Sequence, residues 1–274
     1  MKNGLYFWKS NHKPSKKQGV IISLIVLILL GSIAGWYYLI FVPHKKHEEE
    51  LHKKEVAVQA KLKQVSTFYD TALTGGNIDR LGLLLSEIYK SKLKLSLAGY
   101  EKESVKCKVA GCEFTYSINK SHVFSLLKKD FWNESFLGSF AEKEVSFTGI
   151  PSKLDQNHLL ERYHSKKNID VPECGVILVY IYSLNSTGLI PGTLEILKSP
   201  TSSVTTVEKE LGSRTKYYGL LFGSWKMETK DLSIPHLISI FQGQAFQDDF
   251  IVKNVEIKLD AVSISGDFVC KTGS

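Results

Sequence analysis

The stretch GVIISLIVLILLGSIAGWYYLIFV, Gly19–Val42, holds no charged side chain and is the only run of its kind in the 274-residue chain. At about 1.5 Å per helical residue it spans roughly 36 Å, more than the ~30 Å hydrocarbon core of a bilayer. A cleaved signal peptide would have an apolar core of only about 7–15 residues and would end at a small-residue site. This run ends instead in Trp36-Tyr37-Tyr38-Leu39-Ile40-Phe41-Val42-Pro43. Trp36, Tyr37 and Tyr38 suit a membrane–water interface, where an amphipathic ring is half wetted. The segment predicts a retained, single transmembrane helix over 19–42.

Flanking charge sets its orientation. Residues 1–18 carry Lys2, Lys9, Lys13, Lys16 and Lys17 and no acid, whereas Lys45 and Lys46 on the far flank lead into Glu48, Glu49 and Glu50. The positive-inside rule then predicts a cytoplasmic tail over 1–18 and an exported portion beyond Val42. The whole chain has 35 basic and 28 acidic residues, net +7; without the five tail lysines the balance is 30 against 28. The basic character therefore belongs to the topology signal, and the exported part has no bulk charge that would call for nucleic acid. The tail also contains Leu5-Tyr6-Phe7-Trp8. This cluster reads either as an interfacial anchor on the inner leaflet or as a short docking motif for a cytoplasmic or membrane partner.

All four cysteines, Cys107, Cys112, Cys174 and Cys270, lie beyond the apolar segment, on the side where disulfides persist. Three pairings exist. Cys107 and Cys112 flank the four-residue loop Lys108-Val109-Ala110-Gly111 between strand-like runs, which favours a hairpin clip and leaves Cys174 to pair with Cys270. A zinc site would need a second short cysteine pair that the sequence lacks.

Residues 43–75 predict a charged helical stalk. Leu51, Val58, Leu62, Val65, Tyr69 and Ala72 follow the a/d spacing of a coiled coil for about three heptads. The same spacing also describes an amphipathic helix packed on its own domain, and both readings stay open here. Within the apolar segment, Gly31 and Gly35 place two side-chain-free positions on one helix face, where a second helix can approach. Next to a stalk of this kind, they predict a homo- or heterodimer. Thr74-Gly75-Gly76-Asn77 ends the stalk, with Asn77 capping a helix over roughly 78–93.

The rest reads as α+β, in two units over 78–150 and 176–272 joined by a connection over 151–175. In the first unit, Leu95–Ala98 and 105–118 read as strands, 121–130 as a short helix and 144–148 as a strand. The connection contains a helix around 154–163. In the second unit, Val176–Tyr182 reads as a strand buried on both faces because it is almost continuously apolar. Strands follow over 193–197, 217–228, 255–259 and 262–269, with a helix over 234–241. The runs His122-Val123-Phe124-Ser125-Leu126-Leu127 and His236-Leu237-Ile238-Ser239-Ile240-Phe241 match in position, which points to a duplicated plan.

No catalytic constellation stands. There is no nucleophile elbow, H-E-x-x-H, P-loop or dinucleotide fingerprint. Ser117-Ile118-Asn119-Lys120 and Lys271-Thr272-Gly273 superficially offer S-x-x-K and K-T-G, but S-x-x-K and S-x-N overlap in one tetrapeptide and cannot converge from separate segments. His44, His47 and His52 beside Glu48–Glu50 form a solvated charge run without metal-ligand spacing. The chain is expected to be non-enzymatic, with no cofactor and no metal.

Short basic tail, one anchor, coiled-coil stalk and compact exported α+β unit together resemble the PilO/GspM-like bitopic proteins of type IV pilus and type II secretion machines. The likeness is closest in Gly223-Ser224-Trp225-Lys226-Met227, the helix over 234–241, and the terminal Val262-Ser263-Ile264-Ser265-Gly266-Asp267-Phe268. The last run looks like the strand that closes their ferredoxin-like units. Four cysteines and a second unit look more like the type IVb branch, as in toxin-coregulated or bundle-forming pilus systems. The resemblance implies one or two ferredoxin-like units and an inner-membrane scaffold. Its partners would be other inner-membrane pilus or secretion subunits, the platform protein and motor ATPase, and periplasmic and secretin components. Scaffolds of conjugation channels or of the divisome, and a tethered ligand-binding or sensor domain, are the alternatives.

Overall fold

The computed structural model describes residues 16–118, 128–188, 190, 192–230, 233–259 and 261–273. The chain divides into two compact units, Met1–Ala60 and Lys61–Ser274.

The first unit is helical throughout its described part. Helix α1 spans Lys16–Trp36, a π-helical turn follows over Tyr37–Phe41, and α2 spans Val42–Leu73, its last turns from Lys61 belonging to the second unit. Pro43 has no N–H to donate to the preceding turn, and the widened π turn ends two residues before it, at Phe41. Val20, Leu24, Leu27, Ile28, Leu29, Leu30 and Ile33 are exposed, so apolar side chains face outward all round. The mean hydropathy of the most apolar 18-residue window is 2.3, and by length and composition this helix can cross a membrane.

The second unit is α+β and is built on one antiparallel sheet. After α2 come α3 (Ile78–Leu97), β1 (Tyr100–Lys108), β2 (Gly111–Ile118), β3 (Lys128–Phe131), β4 (Glu134–Leu137), β5 (Ser139–Ala141) and β6 (Glu144–Ile150). Then follow α4 (His158–His164), α5 (Cys174–Thr187), β7 (Thr193–Thr201), α6 (Thr205–Leu211), β8 (Leu220–Lys230), α7 (Ile234–Gln242), β9 (Phe250–Lys258) and β10 (Ala261–Lys271). Eight strands form one sheet in the order β5-β6-β2-β1-β9-β10-β8-β7, while β3 and β4 pair as a separate hairpin. The first set of four strands thus runs third, fourth, second, first across the sheet, and the second set repeats that order. Strands from both expected α+β units share this sheet, joined where β1 pairs with β9 from Ser104↔Lys258 to Lys108↔Asn254.

One sheet face carries the main core. Val105 and Cys107 of β1, Phe114 and Tyr116 of β2, Trp225 and Met227 of β8 and Ile264 of β10 alternate onto it. Helix α3 covers this face with Leu81, Leu84, Leu85 and Ile88 and packs on α7. Asn77 caps α3, accepting from the Arg80 N–H at 3.0 Å. The opposite face is polar at one end, where Lys106, Glu113, Glu195 and Glu228 stand in the open. At its other end Leu220, Phe222, Ile251 and Val269 are buried beneath Val65, Tyr69 and Leu73 of α2, forming a second core.

Register shifts in the β1–β2, β2–β6, β7–β8 and β9–β10 ladders shape the sheet, and two of them involve glycines. In β6 the register jumps opposite Cys112 and Phe114, and Gly149 takes φ 71° there. In β9 the extra residue is Lys253, opposite Ser265 and Gly266, and a Cβ on Gly266 would lie 1.9 Å from the Ile251 carbonyl oxygen.

Several local expectations are corrected. Val176–Tyr182 is not a strand but the centre of α5, a 14-residue helix closed by Gly188 at φ 65°. A continuous apolar run carries no period-two signal, and only its length separates a buried strand from a helix. Leu95–Ala98 ends α3 rather than forming a strand, because the apolar spacing Leu81, Leu84, Leu85, Ile88 continues to Leu95. Lys128–Asp130 belongs to strand β3 rather than to a helix, and the remainder of that expected helix, with His122, lies outside the described residues. A helix over Thr205–Leu211 had no clear periodic signal.

Two disulfides, Cys107–Cys112 and Cys174–Cys270, use all four cysteines. The second closes 96 residues of separation and fastens the start of α5 to the last strand. In a chain-entropy account, long loops constrain the unfolded chain most. Replacing Cys174 and Cys270 together by serine is expected to lower unfolding free energy by about 2–5 kcal/mol in denaturant titrations. The Cys107/Cys112 double replacement should cost clearly less.

Candidate functional site

The sequence-predicted residues do not converge on one place. Gly31 and Gly35 lie one turn apart on α1, and a Cβ on either would meet nothing within 4 Å. Leu5, Tyr6, Phe7 and Trp8 lie outside the described residues. The stalk positions separate into two groups. Leu51 is exposed and Val58 and Leu62 are half-buried, but Val65 and Tyr69 are buried in the second core. These two are therefore not available to a coiled-coil seam, because the helix turns them onto its own domain.

Tyr69 leads to a buried polar site that the sequence did not reveal. Glu208, on α6, is buried at 1% exposure and accepts from the Tyr69 hydroxyl at 2.9 Å and from the backbone N–H groups of Tyr218 and Gly219, each at 3.3 Å. Burial raises the Glu208 carboxyl above its usual range, against the lowering effect of these donors. Tyr163, Tyr218 and Phe222 ring Tyr69 at centroid distances of 5.1, 5.8 and 6.1 Å. The C-terminus of α2 is held as firmly. Asn157 donates to the carbonyls of Leu73 and Gly75 at 2.7 and 2.8 Å, and Lys253 donates to the carbonyl of Thr71 at 3.2 Å. These side chains satisfy carbonyls that a helix end leaves without partners.

A second polar cluster lies inside the main core. Lys129 of β3 donates to the carbonyl of Ser91 at 2.7 Å and contacts the Ser91 hydroxyl at 2.6 Å. That hydroxyl also bonds the Tyr116 hydroxyl at 2.8 Å. The Lys129 ammonium stands 5.5 and 5.1 Å from the ring centroids of Tyr116 and Phe131. Burial, then the nearby Lys94, push the Lys129 amine down to about 7. Glu103, opposite Tyr116 in the ladder, is raised by burial; its ion pair with Lys92 at 3.6 Å is beyond hydrogen-bond range. A neutral lysine beside a serine can activate that serine as a nucleophile. Here Ser91 and Tyr116 are each only 2% exposed, so no substrate reaches the oxygen and the cluster serves as a polar pin between α3 and the sheet. One signal for it was present: Lys129 alternates with Phe131, and Glu103 with Val105 and Cys107, so both charges occupy inward positions.

The other sequence candidates are dispersed. Ser117 donates to Glu144 at 3.0 Å, while Asn119 and Lys120 lie outside the described residues. His44 pairs with Glu48 at 3.5 Å on an exposed surface. Asn185 holds α5 to β7 through two bonds with the backbone of Leu194, at 2.8 and 2.9 Å. Tyr180, Leu184, Trp225, Phe241 and Phe250 line an apolar hollow, along with Gln244 and Gln247. Among the described residues no charged side chain lines it, so these offer nothing to orient a charged ligand.

Within the second unit, α5 leaves an uncharged apolar face uncovered. This helix contains no charged residue, buries Ile177, Ile181 and Leu184, and leaves Val176, Val179 and Tyr182 at 48, 68 and 66% exposure. It lies over the edge strand β7, whose Leu197 is also exposed. At the other end of the sheet Leu137 and Phe140 are exposed beside β5. No protein-family model matches the chain, and neither does any curated protein or solved structure.

The lysine pin gives stability a defined pH dependence. An unfolded lysine titrates near ~10.4, so between about 7 and that value the folded chain binds fewer protons than the unfolded one. Its contribution to stability therefore rises with pH across this window. The stability of Lys129→Met relative to the native chain should be most favourable at pH 6 and fall steadily towards pH 10, in melting temperatures measured across that range. A difference independent of pH would show that the Lys129 pKa is not lowered.

Proposed function

We propose that this protein is a non-enzymatic scaffold of the bacterial inner membrane, of the PilO/GspM-like kind that serves type IVb pilus or type II secretion-like machines. In this reading α1 crosses the membrane, residues 1–18 are cytoplasmic and the disulfide-bonded unit stands in the periplasm. The observation that carries it is a lone apolar helix joined to a sheet whose two sets of four strands repeat one order. In the second set α7 joins β8 to β9 while β10 pairs between them, a split βαβ arrangement with a helix placed first. This supports the ferredoxin-like reading of the second set.

The function would be positioning. Partners would be other inner-membrane subunits, the platform protein with its motor ATPase, and periplasmic secretin components. Two features support a positioning role over chemistry. The buried polar clusters hold elements together and are closed to substrates, whereas Leu137, Phe140, Leu197 and Tyr182 stand exposed at the sheet ends and on α5. In this reading any coiled-coil pairing by the stalk is confined to its earlier positions, Leu51 to Leu62, since Val65 and Tyr69 are buried.

Copurification from membranes after mild crosslinking is expected to recover pilus platform, motor or secretin subunits. Recovery of divisome or conjugation proteins in their place would overturn the assignment. Gly31→Leu combined with Gly35→Leu should abolish crosslinking through the apolar helix while leaving the exported unit folded. An unchanged crosslink would remove helix pairing from the proposal.

A further inference from the structure

We propose that the two free edges of the sheet bind each other between copies of the chain, head to tail, repeating the seam that already joins its two halves. Sheet topology and burial point to this contact whichever machine the protein serves.

Each set of four strands has its first strand at one edge and its third at the other. Inside the chain, the first-strand edge of one set, β1, is paired antiparallel with the third-strand edge of the other, β9. Among the described residues, the two remaining edges are β7, a first strand, and β5, a third strand. The free edges are thus the same two kinds of edge that meet at the internal seam.

The helices tell the same story. At the seam α3, which leads the first set, is flanked by α7 and buries a broad face including Leu81, Leu84, Leu85 and Ile88. Helix α5 leads the second set and is no less apolar, yet it buries only the stripe Ile177, Ile181 and Leu184. One flank is engaged with the segment that follows α7, since Tyr180 donates to Gln244 at 2.8 Å and its ring meets Phe246 at 5.1 Å. The other flank is the stripe Leu178, Tyr182 and Asn185, three positions spaced along one side of a helix. Asn185 bonds Leu194 of β7, so this flank lies toward the free edge, and Tyr182 on it is 66% exposed. An uncharged helix face beside an unpaired strand marks an interaction surface rather than a solvated one.

The opposite free edge offers a matching surface. Strand β5 carries Phe140 at 42% exposure, preceded by Leu137 at 72%. A second copy of the chain therefore brings to β7 and α5 what β9 and α7 bring to β1 and α3: a strand edge with apolar groups beside it. Because the two surfaces differ, the contact is heterologous and builds rings or rows rather than a closed pair.

All four native cysteines are in disulfides, so introduced ones supply the only free thiols. The test uses the full-length chain in membranes, as Leu197→Cys and Phe140→Cys variants carrying different tags and treated with a short thiol-to-thiol crosslinker. Coexpression is expected to give a mixed dimer, each variant alone only monomer, and a chain with both substitutions a ladder. Tyr182→Lys, on that flank and 66% exposed, should abolish the mixed dimer without lowering the melting temperature. Self-crosslinking of Leu197→Cys would show a two-fold contact through β7 and overturn the proposal. Monomer in every arm, or crosslinks only to other proteins, would overturn it as well.

Discussion

Five residue pairs, from Ser104 opposite Lys258 to Lys108 opposite Asn254, hold β1 against β9 and turn two four-stranded sets into one sheet. Without this ladder each set would present two unpaired edges, which attract unintended pairing. The same ladder places Val105 beside Ile257 and Cys107 beside Val255, all four buried in the main core. Helix α3 precedes β1 and α7 precedes β9, so pairing these strands also brings their helices together. The two halves consequently share one hydrophobic core, and cutting the chain within 151–175 would expose the seam rather than release two finished domains.

The second core explains why the end of α2 belongs to this domain. An uncompensated carboxylate in an apolar setting costs several kcal/mol. Glu208 has three donors, one from the Tyr69 hydroxyl of α2 and two from the loop before β8. Removing α2 would leave this carboxylate with two weaker contacts and would uncover Leu220 and Phe222. Asn157 and Lys253 close the helix end, and the backbone of Gly76 exchanges bonds with Val252 at 2.9 and 2.7 Å. The helix end, the sheet bulge at Lys253 and the α4 cap are thus joined by one polar network.

Elements with clear periodicity were legible in the sequence. The Cys107–Cys112 hairpin, the cap at Asn77, the strands read over 144–148 and 262–269, and α7 could all be read from alternation, turns and caps. The pairing between halves could not, because nothing local in Val105 or Val255 encodes which edge it meets. The buried polar clusters were also missed: a lysine at an inward strand position looks like any surface lysine until Phe131 and Tyr116 are placed beside it. Stalk spacing was ambiguous for a physical reason. One apolar stripe serves a partner helix or a sheet equally well, and at Val65 and Tyr69 the sheet is what covers it.

The α5 misreading has its own cause. Helices on a domain surface normally advertise themselves by charges on the wet side, and the alternation between wet and dry sides is what a periodicity argument detects. Cys174–Thr187 has no charged residue on any side, so it looks like a strand buried on both faces. That reading correctly registers that the segment is composed for burial on more than one side. Its error lies in the backbone geometry assigned, since 14 residues closed by a left-handed Gly188 make a helix. Burial on one side is supplied by the sheet through Ile177, Ile181 and Leu184, and the other side remains uncovered within the chain. Local composition and observed burial disagree at this helix, and such disagreements are expected where a protein meets something outside itself.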